Sequence, residues 1–206
     1  MDWQSRLDLL PGIIIGLTVH EFSHALMAFI LGDDTAKKEG RITFNPFKHI
    51  DTVGLFCLIF IGFGWAKPVR FDPAKLKNFQ RDRALIAFAG PFSNLLLGIL
   101  LVNIYNGTIQ IPASVLNIFP REFLLNAIYI NFVLFVFNML PIPPLDGSHI
   151  LFSWLDFKPV TETVFSVIGM LVLMTYIIVL HITNVSIIPI DKIIYTITKT
   201  ILDFFM

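Results

Sequence analysis

Four long apolar runs separated by polar stretches dominate the chain. The first, from about Leu9 to Leu31, is closed by Gly32-Asp33-Asp34, where a glycine and two acids stop the pattern. Three more cover about 83–105, 122–140 and 160–181. Each approaches the roughly 20 residues that a helix needs to cross a hydrocarbon core, so each is a predicted membrane span. In the second run, Pro91 predicts a kink and a freed carbonyl. Gly90, Asn94 and Gly98 recur there every four residues, a spacing read as close helix packing rather than chemistry, with Asn94 the residue best placed to depart from it. The third run breaks at Pro141-Ile142-Pro143-Pro144-Leu145-Asp146-Gly147, which cannot stay helical. Such irregular backbone at membrane depth must be covered by protein or line a wet cavity.

Two stretches follow other patterns. Gly40-Arg41-Ile42-Thr43-Phe44 alternates polar and apolar positions and predicts a short strand. Phe56 to Ile61 is either its partner, a one-sided hairpin, or part of a loop that packs on the bundle. Thr52 to Ala66 is too short to span and is interrupted by Gly54, Gly62 and Gly64, which reads as a re-entrant or interfacial segment over about 40–66. A free sheet edge there would take an extended peptide by strand addition. At the C-terminus, about 187–206, Ile190, Ile193, Ile194, Ile197 and Ile201 share one helix face. That predicts an amphipathic helix at the interface, with a fifth span as the weaker alternative.

Composition sharpens this picture. Of 206 residues 55% are hydrophobic and 15% charged, with a mean hydropathy of +0.76, which marks a multi-span membrane protein. No polar stretch is long enough for a second module, so 1–206 reads as one domain. The net charge of zero argues against nucleic acid as a partner. The single cysteine, Cys57, excludes an internal disulfide and a cysteine-based metal site. The N-terminus lacks a basic region ahead of a short apolar core, so no removable signal peptide is expected. Ten of the 15 lysines and arginines lie between Asp34 and Arg83. The positive-inside rule puts that segment in the cytoplasm and the N-terminus outside.

Candidate chemistry sits inside the first span. An ionisable group in mid-membrane costs about 3 kcal/mol by insertion scales, so Thr18-Val19-His20-Glu21-Phe22-Ser23-His24 is a functional candidate by position alone. His20 and His24 are one helical turn apart on one face. With Glu21 they form H-E-x-x-H, in which two imidazoles hold zinc and the glutamate works on a metal-bound water. Catalytic zinc takes a third protein ligand and keeps an open position. Asp146, on the broken backbone after the third span, is the acid that can reach. His49 is expected to be solvated or hydrogen-bonded, His149 could only support a ligand, and His181 falls at the outer end of the fourth span. Asn131 and Asn138 share a face of the third span.

Together these residues resemble the site-2 protease family of intramembrane zinc metalloproteases. His20 to His24 matches its H-E-x-x-H, and Asn138-Met139-Leu140-Pro141-Ile142-Pro143-Pro144-Leu145-Asp146-Gly147 matches its N-x-x-P-x-x-P-L-D-G. Gly40 to Pro46, His49-Ile50-Asp51, Gly64 to Val69 and Ala89 to Asn94 are similar to its short prokaryotic branch, so the likeness covers roughly 12–152. Thr52 and Arg70 stand where that branch often has proline, which bears on the shape of the cytoplasmic segment. The resemblance implies an all-α polytopic protein with a three-helix catalytic core, further spans and a small membrane-associated β-hairpin or re-entrant segment. It implies one Zn2+ per chain on His20, His24 and Asp146, Glu21 as general base, and Asn138 steadying substrate or oxyanion. Membrane-anchored proteins would be the substrates, in the cell membrane, with the active site toward the cytoplasm. The alternatives are another membrane H-E-x-x-H metalloprotease with a glutamate ligand (Glu39, Glu122 or Glu162) and a non-enzymatic metal transporter or binding protein.

Overall fold

The computed structural model of the protein describes residues 3–61, 64–112, 114, 120–155, 159–183 and 190–206. Gly62, Lys158, Ile187 and residues 113 and 115–119 of the second interspan loop lie outside them. So do the side chains of Arg6, Glu162, His181, Ile190 and Asp191.

Helix α1 spans Trp3–Ile30, and its Leu7–Ile30 portion is long and apolar enough to cross a membrane. Gly32 ends it with a φ of 107°, a left-handed conformation that suits glycine and lets the Asp33 N–H donate back to Ala28 O at 2.9 Å. A single turn, α2 (Thr35–Lys38), follows. Helix α4 (Phe79–Tyr105) begins a turn ahead of the apolar run because its cap is polar. Asn78 Oδ1 accepts the Arg81 N–H, while Asp82 accepts the Asn78 N–H, so orphan donors at the helix start are satisfied reciprocally. The helix runs unbroken through Pro91. Helix α5 (Arg121–Asn138) is the third candidate span.

These three helices pack on one another. Glycines set their approach. A Cβ on Gly12 would lie 3.1 Å from Ala127 Cα, and one on Gly98 would lie 2.8 Å from the Phe132 ring. Val102, Ile128 and Phe132 are buried between α4 and α5.

Helix α6 (Asp146–Trp154) starts straight after the proline break. Asp146 is therefore the first residue of a helix, not part of irregular backbone as expected. Gly147 lets that turn close, since a Cβ there would run into the carbonyls of Met139 and Leu140. Helix α7 (Pro159–Thr183) stands beside the break, where a Cβ on Gly169 would meet Pro143 O at 2.6 Å. Its described apolar stretch, Thr163–Val179, is shorter than the three spans. Helix α8 (Ile190–Phe205) turns Ile201, Leu202 and Phe205 onto the α4–α5 core, with Phe205 stacked on Phe132. The isoleucine face singled out from the sequence is thus only partly the buried one, as Ile193 and Ile197 are exposed.

The β-hairpin is corrected. No strand occurs among the described residues, and Ile50 and Ala66 form an isolated bridge. Thr52–Ile61 is a helix, α3, whose first turn is held by Asp51 Oδ1 accepting the Gly54 N–H at 2.8 Å. An apolar run without a partner strand satisfies its backbone internally, and helix does that locally. Gly54 and Gly64 are contact points, since each lacks the Cβ that would strike the other's segment. Residues 41–45 are irregular because buried Arg41 reaches across them to Lys48 O and Lys67 O, and Asn45 caps a 3-10 turn at Pro46–Lys48.

Candidate metal centre

The helix spacing of α1 turns His20 and His24 toward α4, and the turn into α6 brings Asp146 to the same point. His20 Nε2 lies 3.0 Å from both His24 Nε2 and Asp146 Oδ2, and His24 Nε2 lies 3.5 Å from Asp146 Oδ1. All three side chains are nearly enclosed. Tetrahedral zinc with bonds of about 2.0–2.2 Å separates its ligand atoms by about 3.3–3.6 Å, a few tenths of an ångström from this spacing.

The proton positions also fit a cation. His24 Nδ1 lies 2.7 Å from Ile86 O, which can only accept, so this nitrogen carries the proton. His20 Nδ1 is 2.7 Å from Asn94 Oδ1 and donates to it. In the neutral imidazoles both Nε2 atoms are then bare lone pairs, pointing at each other and at a carboxylate. Asp146 Oδ2 is buried without a hydrogen-bond donor. Lone pairs converging this closely repel unless a cation, a metal ion or a proton, sits among them. Gly90 keeps the place open, because a Cβ there would collide with both imidazole rings.

The cluster lies in a cavity of about 750 Å³ lined by α1, α4, α5, α6, α7 and the segment 64–73. Most of the lining is apolar, as with Leu17, Trp65, Phe137 and Met170, and Glu21 and Asn138 also face it. Glu21 Oε2 accepts the Val69 N–H at 3.2 Å and lies 3.7 Å from Arg41 Nη2. Asn138 Nδ2 donates to Leu134 O at 3.0 Å, using one of the two hydrogens of its amide.

The segment that carries Val69 is tied down at both ends. Arg41 holds it at Lys67 O, and buried Asp33 accepts the Asp72 N–H at 2.6 Å along with both donors of Thr35. Burial opposes ionisation of Asp33, but these hydrogen bonds and Lys75 outweigh it and hold its carboxyl below the usual range. Hydrogen bonds from Lys38 and Lys75 push Asp34 down to about 2.

His49 is hydrogen-bonded rather than solvated. It is fully buried, its Nε2 donates to Thr43 O at 2.7 Å, and it stands outside the ligand cluster. His149 Nδ1 lies 3.0 Å from Arg83 Nη2 on the cavity wall. Glu39 and Glu122 are exposed and apart from the cluster. The four-residue spacing of Gly90, Asn94 and Gly98 predicts a packing face. Gly98 does pack, on Phe132, but Gly90 and Asn94 face the histidines. An asparagine within an apolar run is the signal the sequence offers.

Comparison with known proteins places this arrangement. The profile of Peptidase family M50 matches residues 102–180, which include Asn138 and Asp146. A Bacillus subtilis protein named "Putative zinc metalloprotease YwhC" is 41% identical over 156 residues, covering 70% of this chain and 69% of that protein. Two mycobacterial proteins, each named "Putative zinc metalloprotease Rip2", are similar. The one from Mycolicibacterium smegmatis is 30% identical over 144 residues, and that from Mycobacterium tuberculosis 29% over 149. The match spans 68% of this chain but only 54% of each Rip2 protein. No solved structure matches.

Proposed function

The chain belongs to peptidase family M50, the site-2 protease family, and is a membrane zinc metallopeptidase; from that premise we propose that it hydrolyses peptide bonds within or next to the transmembrane segments of membrane-anchored proteins. The observation that supports this reading is the convergence of His20, His24 and Asp146 in a cavity walled by the spanning helices themselves. A bond hydrolysed there must be presented at membrane depth, and the apolar lining suits the side chains of a transmembrane segment.

In this reading His20, His24 and Asp146 hold one zinc ion per chain, with the remaining position open. Zinc, when bound, supplies Lewis acidity to a substrate carbonyl and to a water. Glu21 takes the proton from that water and delivers it to the departing amine. The Val69 N–H and Arg41 aim one oxygen of its carboxylate, leaving the other for proton transfer. Asn138 offers its second amide hydrogen to the substrate carbonyl. The basic segment between Asp34 and Arg83 supports a site toward the cytoplasm, with the N-terminus outside, in the cell membrane.

The test is Glu21→Gln, reconstituted in liposomes with a cleavable membrane-anchored substrate. Zinc content should stay at the wild-type level while cleavage falls by about 10²-fold or more, the usual contribution of a general base. Undiminished cleavage with zinc still bound would reject the assignment. Cleavage of soluble loops with membrane segments left intact would reject the substrate class.

A further inference from the structure

We infer that Asn94 and Asn131 are positioning residues that fix which nitrogen of His20 carries its proton, and so hold its Nε2 lone pair toward the metal. The inference rests on the reading that His20, His24 and Asp146 bind zinc. It starts from a chain of side-chain amides that crosses three helices. Asn94 on α4 and Asn131 on α5 are both fully buried, and His20 on α1 is 4% exposed. Asn94 Nδ2 lies 3.0 Å from Gly16 O and 3.0 Å from Asn131 Oδ1, and Asn131 Nδ2 donates to Ala127 O at 2.8 Å.

The direction of this chain is not free. Gly16 O and Ala127 O are backbone carbonyls, which can only accept. Each asparagine must therefore turn its nitrogen toward its carbonyl and its oxygen the other way. For Asn131 the oxygen then receives Asn94 Nδ2. For Asn94 the oxygen faces His20 Nδ1 at 2.7 Å and accepts its proton. Flipping either amide would set oxygen against oxygen between fully buried side chains. Two backbone carbonyls thereby dictate a tautomer several bonds away. Gly16 makes this possible, since a Cβ there would lie 3.2 Å from Asn131 Oδ1 and 2.7 Å from Leu134 Cδ1. The two ligand imidazoles differ in this respect. Ile86 O orients His24 directly, whereas His20 depends on side chains and is the ligand that substitution can disturb.

The competing account is that the asparagines only glue helices together, as buried amides do in membranes. The two accounts part at Asn94→Asp. A carboxylate accepts the His20 proton as well as an amide oxygen does, in the common carboxylate–histidine–zinc arrangement, but cannot donate to Gly16 O or Asn131. Zinc affinity of the purified full chain in detergent is measured by competition with a chromogenic chelator, beside thermal unfolding of the metal-free form. Asn94→Leu should weaken zinc binding about 10–100-fold. Asn94→Asp should bind zinc within a few-fold of wild type while its metal-free form loses stability. Wild-type affinity in Asn94→Leu, or a loss in Asn94→Asp as large as in Asn94→Leu, would overturn the inference. If the leucine variant does not fold, the aspartate variant decides alone: near-wild-type affinity supports the inference and a tenfold loss overturns it. Zinc binding that His20→Ala leaves unchanged would instead mean that the metal-site reading itself has failed.

Discussion

Gly90 and Asp146 show how differently two residues of one site speak in a sequence. Asp146 is an acid beside a proline break, and its chemistry announces it. Asp146→Ala should abolish stoichiometric zinc binding, whereas Glu39→Ala and Glu122→Ala should leave it intact, as metal analysis of the purified proteins would show. Gly90 acts through what it lacks. A methyl group there would meet both imidazoles on rigid backbone, so Gly90→Ala should displace a ligand ring and lower zinc affinity at least about tenfold, by the measure of a damaged ligand orientation. Chelator competition reads that directly, and wild-type affinity in the alanine variant would show that the rings can move aside. His20, Glu21 and His24 were identifiable because helix spacing alone puts i and i+4 on one face. The part played by Asn94 was not, since periodicity cannot tell a hydrogen-bonded asparagine from one that merely packs.

The segment between α1 and α4 is where element-level reading failed. Its alternation between Gly40 and Phe44 resembles a strand, yet its backbone is organised by the segment's own buried side chains, Arg41, Asp33 and His49. Alternation predicts a strand only when a partner strand is there to pair with. His49 allows a test by pH. Burial pushes its imidazole below the usual histidine value, with the Arg41 charge acting in the same sense and the Thr43 carbonyl and Glu21 opposing. The folded segment therefore refuses a proton that the unfolded one takes up. Its stability is full above about pH 6.5 and falls as pH drops from there toward the lowered folded value. Hydrogen exchange at the Lys67 amide, which donates to His49 O at 2.7 Å, should accelerate as pH falls through this window after correction for intrinsic rates. His49→Gln should remove that added dependence. Asp33 and Asp34 have the opposite charge type and a lower window. Their depressed values stabilise the segment above about pH 4, and that contribution is lost only as pH falls further.

For the whole molecule, zinc and the membrane are the two external constraints. In the proposed function, an ion held by His20 and His24 on α1 and Asp146 on α6 would cross-link the bundle. Chelation should lower the thermal midpoint of the wild type, by an amount equivalent to about 4 kcal/mol where free zinc stood at a thousand times its dissociation constant. The same chelator should leave Asp146→Ala unmoved. Orientation is checked separately. With Cys57 replaced, a cysteine at Lys38 should react with an impermeant thiol reagent only from the cytoplasmic side, and one at Gly107 only from outside. The reverse pattern would overturn the assigned topology.

Three of the four apolar helices expected, each long and apolar enough to cross a membrane, and the histidine pair and distant aspartate that folding brings together were legible in the sequence alone. The reason is physical: a bilayer demands long apolar runs, and an ionisable residue placed within one stands out against them. The tertiary structure decided what depends on contact between distant segments. It replaced the Phe56–Ile61 part of the hairpin with a capped helix, because no partner strand lies beside it among the described residues. It turned part of the last helix onto the α4–α5 core. Above all it brought a carbonyl on α1 and another on α5 within hydrogen-bond distance of two asparagines that stand behind His20. Hydrogen-bond direction is a property of atoms brought together by folding, and no period along the chain records it.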